Sequence, residues 1–254
     1  MTDLPDDILR PFLISLADDE LVLGHRDSEW CAFAPMIEED VAFASIAQDE
    51  MGHGRLYYRL AHDHGAPEPD ALVFERTADG FRSAVLLERP NGDWAYTVAR
   101  HLIYDIYDDI LTSALLGSSM KELRDIAVLV RREERYHLEH QSVWVRHLAG
   151  GGEDSRRRLE TALTRVTGEI SGLTEEASWH APLIEAGVLP LGPEEIRPRL
   201  EGRLTEIFAP MELVVPGIRT GGGLGGRLGH HTADLEEALR SLQEVWQIDT
   251  KATW

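Results

Sequence analysis

"QDEMGHGR", residues 48–55, lies at the centre of a segment whose apolar residues (Val41, Ala42, Ile46, Leu56 and Leu60) recur at helical spacing. A helix that buries one face rarely sets Asp49, Glu50 and His53 together at its midpoint, because a buried charge is costly unless something pairs with it. At 3.6 residues per turn, Glu50 and His53 project from the same face. The same Glu-x-x-His recurs once, as Glu134 and His137 within "EERYHLEH", residues 133–140. With 11 histidines in the chain, one such motif is expected by chance about once. The weight therefore rests on the pair.

Working outward, Glu20 stands 30 positions before Glu50, and Asp105 stands 29 before Glu134. Two antiparallel helices joined by a short loop bring residues about 30 apart to one height, two or three turns from the connection. The chain thus offers a carboxylate followed by Glu-x-x-His, twice, at nearly equal spacing. This is the ligand arrangement of ferritin-like di-iron and di-manganese carboxylate proteins. It predicts a metal site of Glu20, Glu50, His53, Asp105, Glu134 and His137, holding two iron ions, with manganese as the alternative. Carboxylates bridge hard cations and neutral imidazoles complete an N/O set, which suits iron or manganese better than a structural zinc. Asp108, one turn from Asp105, competes for that place. Glu39 competes less well with Glu20, since it shares a helix with Glu50.

The remaining punctuation reads as all-α: a ferritin-like four-helix bundle over about 6–149, with further helices and a glycine-rich loop over about 155–254, in one domain. The first helix spans roughly Asp6 to Glu29, with a break or late start expected at Pro11. Pro35 and the acidic Glu38, Glu39 and Asp40 open the second, which stops near Gly65 and Pro67. An irregular connection, 66–92, carries one apolar patch. Asp93 caps a third helix, and a fourth runs from Gly117 to Leu148, ended by Gly150, Gly151 and Gly152. Helical patterns resume from about Ser155 to Glu185, Glu194 to Phe208 and Thr232 to Gln247. Trp94, Tyr104, Tyr107 and Trp144 sit at helical spacing and read as core. His25, His62, His64, His140 and His147 read as surface or flank residues, and His101, one turn before Asp105, as a weaker neighbour of the site.

Composition narrows the function. A net charge of −20 opposes binding to nucleic-acid phosphates. The single cysteine, Cys31, excludes an intrachain disulfide framework and a cysteine-held zinc or iron–sulfur centre, so any electrons consumed come from outside the chain. A reducing, cytoplasmic setting follows most simply. The acidic start lacks the order of a signal peptide, and no apolar run reaches membrane-spanning length. Gly221–Gly226 lacks the Lys-Ser/Thr ending of a phosphate loop and reads as a flexible connection, although Arg219 and Arg227 flank it within reach of an anionic phosphate.

Beyond spacing, "LVLGHRDSEWCAFAP" (21–35), "LLERPNGDWAYTVARH" (86–101), "EERYHLEH" (133–140) and, near the end, "RTGG", "HT" and "LQEVW" resemble the phenylacetyl-CoA ring-oxygenase family of phenylacetate degradation, its C-type subunit above all. The resemblance covers nearly the whole chain. It implies a helical subunit of a multicomponent oxygenase that epoxidises the ring of an aromatic CoA thioester, served by a paralogous subunit and a separate reductase. In that family the A-type subunit carries the di-iron centre, and the C-type looks like a degenerate paralogue that pairs with it. Here Glu20, Glu50, His53 and Glu134 are all present, a departure from a degenerate pattern. In related oxygenases the acid preceding each motif glutamate bonds the metal-bound histidine of the opposite hairpin, which assigns Asp49 to His137 and Glu133 to His53. Two classes remain: an oxygen-activating enzyme or enzyme subunit, and a metal-poor scaffold for a catalytic paralogue. Self-association is open to either.

Overall fold

The computed structural model describes residues 5–213 and 224–250. These form ten α-helices and short 3₁₀ turns, with no strand among them. Their contacts gather into two compact units, one drawn from residues 5–90 and 224–250, the other from 91–213.

The first unit is built on a helical hairpin, α1 (Asp6–Ser28) and α2 (Ile37–Asp63). Two glycines make their close packing possible. A Cβ on Gly24 would meet the Ala47 carbonyl at 3.1 Å, and one on Gly54 the Ala17 carbonyl at 3.1 Å. That register is antiparallel. Pro11 does not break α1: the missing N–H would have bonded the carbonyl of Asp7, an exposed residue in the first turn where water serves as well. α2 begins two residues after Pro35, with Met36 at its N-cap.

The connection expected to be irregular instead holds α3 (Pro69–Phe74) and α4 (Val85–Glu88). Its apolar patch forms core, with Val85, Leu86 and Leu87 buried. The last helix, α10 (Ala233–Ile248), starts at the Thr232 cap and packs on this layer. Glu88 ties the two together, accepting from the Thr232 N–H at 2.9 Å and hydroxyl at 2.8 Å. Arg26 of α1 spans the same junction, donating to the carbonyls of Glu88 and Asp234.

The second unit repeats the hairpin as α5 (Trp94–Leu115) and α6 (Lys121–Gly150). Asp93 caps α5, its carboxylate accepting from the Tyr96 N–H at 3.0 Å. Trp94 packs edge-on against Trp144 at 5.3 Å, and His101 against His137 at 6.2 Å, which fixes an antiparallel register. α7 (Glu153–Thr167), α8 (His180–Glu185) and α9 (Pro193–Phe208) follow. α7 and α9 pack on α5, burying Leu159, Leu163, Val166, Leu200 and Leu204. The helical stretch expected over 155–185 is thus interrupted between α7 and α8 by a 3₁₀ turn, Ile170–Gly172.

Candidate metal centre

In the first hairpin, Glu20 of α1 meets Glu50 and His53 of α2. His53 Nδ1 lies 3.6 Å from Glu20 Oε2 and 3.8 Å from Glu50 Oε2. Each of the three offers one donor atom within 4.8 Å of the others, and all are buried. Two acidic side chains and an imidazole crowded out of water form a cluster suited to a cation, because carboxylates in such a place repel one another unless positive charge or protons intervene. Asp27, two turns beyond Glu20 and also buried, brings a carboxylate oxygen within 4.8 Å of one of Glu50. Spacing alone did not single out Asp27; its position seven residues after Glu20, on the same face, was the signal that could have.

In the second hairpin Asp105, Glu134 and His137 are likewise buried. His137 Nδ1 stands 3.1 Å from Glu134 Oε1, and Asp105 Oδ1 stands 2.6 Å from His101 Nδ1. Burial pushes the Asp105 carboxyl up to about 7; the adjacent His101 opposes this, Glu134 adds to it and His137 opposes it. Asp105 therefore feels both motif residues of α6. Its second oxygen, Oδ2, is buried without a hydrogen-bond donor among the described residues. An orphaned carboxylate oxygen beside a glutamate is a place where a cation fits. His101 contributes more than its weak standing suggested: it is buried and bonded directly to Asp105.

Asp49 and Glu133 are half-buried beside their motif glutamates, and Glu133 accepts from Arg132 at 2.9 Å. Glu39 is buried but outside the Glu20–Glu50–His53 trio, while Asp108 is buried on α5. His25, expected at the surface, is buried, and that burial lowers its pKa. The cause is the setting of α1, whose whole stretch from Ser15 to Asp27 is shielded.

Polar residues around Glu20 have their own partners. Asp18 accepts from Arg76, from the Tyr58 hydroxyl and from the Arg82 N–H, and Arg76 also lies 3.9 Å above the Phe81 ring. Asp19 pairs with Arg227 at 2.6 Å and accepts from the Ala84 N–H at 2.8 Å. Arg227 is thus a buried structural cation and is not placed to meet a phosphate. Arg219 and the "RTGG" stretch lie outside the described residues. The described end of the glycine run is tightly packed, since a Cβ on Gly226 would collide with the Ser83 carbonyl. Among the described residues no helix is long and apolar enough to cross a membrane.

The chain is 30% identical over 253 residues to the C subunit of 1,2-phenylacetyl-CoA epoxidase from Escherichia coli (strain K12), an alignment covering 97% of this chain and 99% of that one. The family model described as phenylacetic acid catabolic protein matches residues 1–254. On both grounds the chain belongs to the phenylacetic acid catabolic protein family.

Proposed function

We propose that this protein is a metal-binding subunit of a phenylacetyl-CoA oxygenase-type assembly, with Glu20, Glu50, His53, Asp105, Glu134 and His137 holding two iron ions, or manganese. The observation that carries the reading is the repetition: each hairpin buries one carboxylate beside its own Glu-x-x-His. The relative's name supplies the substrate class, an aromatic CoA thioester. When bound, two redox-active ions would supply the electron-transfer chemistry that dioxygen requires. The chain's own part is to hold donors in place, exclude water and fix ring orientations. In this reading Asp49 orients the His137 ring and Glu133 the His53 ring. A paralogous subunit and a separate reductase complete the system, since a chain with Cys31 as its single cysteine brings no iron–sulfur relay of its own. The exposed free thiol of Cys31 suits a cytoplasmic location. We further take 6–149 as one bundle within a single domain.

Metal analysis of the purified chain tests this directly. Iron or manganese should reach stoichiometric amounts, and His53→Gln with His137→Gln should abolish it while the circular dichroism stays helical. Helices packed on apolar faces do not need a cation to form. Loss of fold in the double variant would make the cluster a structural staple instead.

One observation favours a metal-poor scaffold as the second reading. The His101–Asp105 hydrogen bond at 2.6 Å satisfies one ligand carboxylate within its own helix. Under that reading His53→Gln with His137→Gln changes neither metal content nor the activity of an assembled complex.

A further inference from the structure

We propose that Gln141 is a positioning residue of the candidate centre: its buried carboxamide hydrogen-bonds a small exogenous ligand on the His137 side of the cation. The inference rests on the metal reading above and adds to it a residue that holds no metal itself.

Along α6 the buried residues Val130, Glu134, His137, Gln141 and Val145 recur every three or four positions and so form one stripe. Gln141 follows His137 by one turn, where an apolar residue would complete the helix face. Its side chain is fully buried, and neither the amide nitrogen nor the amide oxygen has a hydrogen-bond partner among the described residues. A carboxamide carries two N–H donors and an acceptor oxygen, and burying them unbonded is costly. A buried polar group that the fold leaves unbonded points to a ligand.

Its neighbours do not supply the bond. The Trp94–Trp144 and His101–His137 contacts set a register that puts Gln141 level with Thr97 of α5. The Thr97 hydroxyl donates instead to the Asn91 carbonyl at 3.0 Å, and Arg100, one turn on, donates to Asn91 Oδ1. His101 bonds Asp105 at 2.6 Å, and His137 bonds Glu134 at 3.1 Å. These groups are committed, and the Gln141 amide is not.

Long side chains on a helix lean toward its N-terminus. Gln141 therefore reaches back over the turn that carries His137, as His137 reaches back to Glu134. In the first hairpin Tyr57 takes the same step after His53, and it is buried and engaged. The unused hydrogen-bonding capacity thus lies beside the second motif. An amide there offers donors to a lone pair and an acceptor to a proton. That suits a ligand of two or three atoms, small enough to enter a packed interior, and azide is the probe of that class.

Azide titration of the iron-loaded full chain, read by its visible charge-transfer band, compares wild type with Gln141→Met and Gln141→Leu. Methionine matches glutamine in length and leucine fills the position, and both remove the amide. Each variant should keep wild-type iron and bind azide about tenfold more weakly, the worth of about one hydrogen bond. The metal-free variants should unfold at higher urea concentration than the metal-free wild type, because an unbonded buried amide is gone. A wild type that holds neither iron nor manganese removes the metal reading and this inference with it. Iron retained with azide affinity unchanged overturns the inference alone. So does loss of iron by the variants, which would make Gln141 a holder of the metal. Unfolding of the metal-free variants at lower urea also overturns it, by making the amide a structural hydrogen-bonding group.

Discussion

Gly24 stands directly against Glu50: a side chain there would put its Cβ 2.9 Å from the Glu50 Cβ. Gly54 returns the relationship, since its Cβ would lie 3.4 Å from that of Glu20. Gly24 and Gly54 therefore each oppose a carboxylate of the candidate centre, and the closeness of α1 and α2 is set where those two glutamates are.

Gly24→Ala should destabilise the protein by about 1–3 kcal/mol, the usual range for overpacking a tight interior. Alanine's better helix propensity, worth about 1 kcal/mol, does not offset this, because the obstructing atoms are a Cβ and the backbone oxygen of Ala47. Gly202→Ala is the control. It lies within α9 with nothing inside 4 Å of its Cβ, and should stabilise by up to about 1 kcal/mol. Urea denaturation of both variants reads the difference, and equal behaviour would show that α1 and α2 have slack at their crossing. Metal binding by Gly24→Ala should fall as well, since Glu50 must shift.

Arg227→Met should cost about 3–5 kcal/mol by leaving the Asp19 carboxylate buried without its cation. Adding Asp19→Leu should recover much of that loss, because an apolar pair replaces a buried ion pair at little cost. The same denaturation curves measure it. A small effect from Arg227→Met alone would mean that the Asp19 carboxyl is already neutral.

Glu88→Ala should loosen α10 without unfolding α1 and α2. The carboxylate caps Thr232 and bonds His231 Nδ1 at 2.8 Å, so its loss frees the start of the last helix. Hydrogen exchange should rise across 231–240 and stay low in the hairpin. Uniform exchange would place α10 in the same cooperative unit as the hairpin.

Periodicity and capping made most of the helices legible. Asp93, Thr232 and the glycines after Leu148 mark real ends because a cap acts through neighbours in sequence. The spacing argument likewise singled out Glu20 from the run Asp18–Asp19–Glu20. It could not tell that all three are buried, since Asp18 depends on Arg76 and Asp19 on Arg227, partners far along the chain. His25 was misjudged for the same reason. A half-polar helix looks like a surface helix until the tertiary partners of its charges are known. Arg227 shows the converse: a cation beside glycines suggested an anionic ligand, and the anion proved to be a side chain of this protein.

The last prediction separates the catalytic reading from the scaffold. A complex assembled from the proposed paralogous subunit, the proposed reductase and the Glu50→Ala, Glu134→Ala form of this chain should lose turnover of an aromatic CoA thioester if the centre is catalytic. Both alanines remove carboxylates that carry the N/O donor set, while leaving the apolar faces of α2 and α6 intact. Folding and assembly should persist, because the helices gain a good helix former and lose only groups whose burial was costly. The companion measurement is dioxygen uptake by the anaerobically reduced, metal-loaded chain, which the wild type should show and the variant should lack. Full turnover by the variant complex would assign the chemistry to the paralogue and leave this chain the work of holding it.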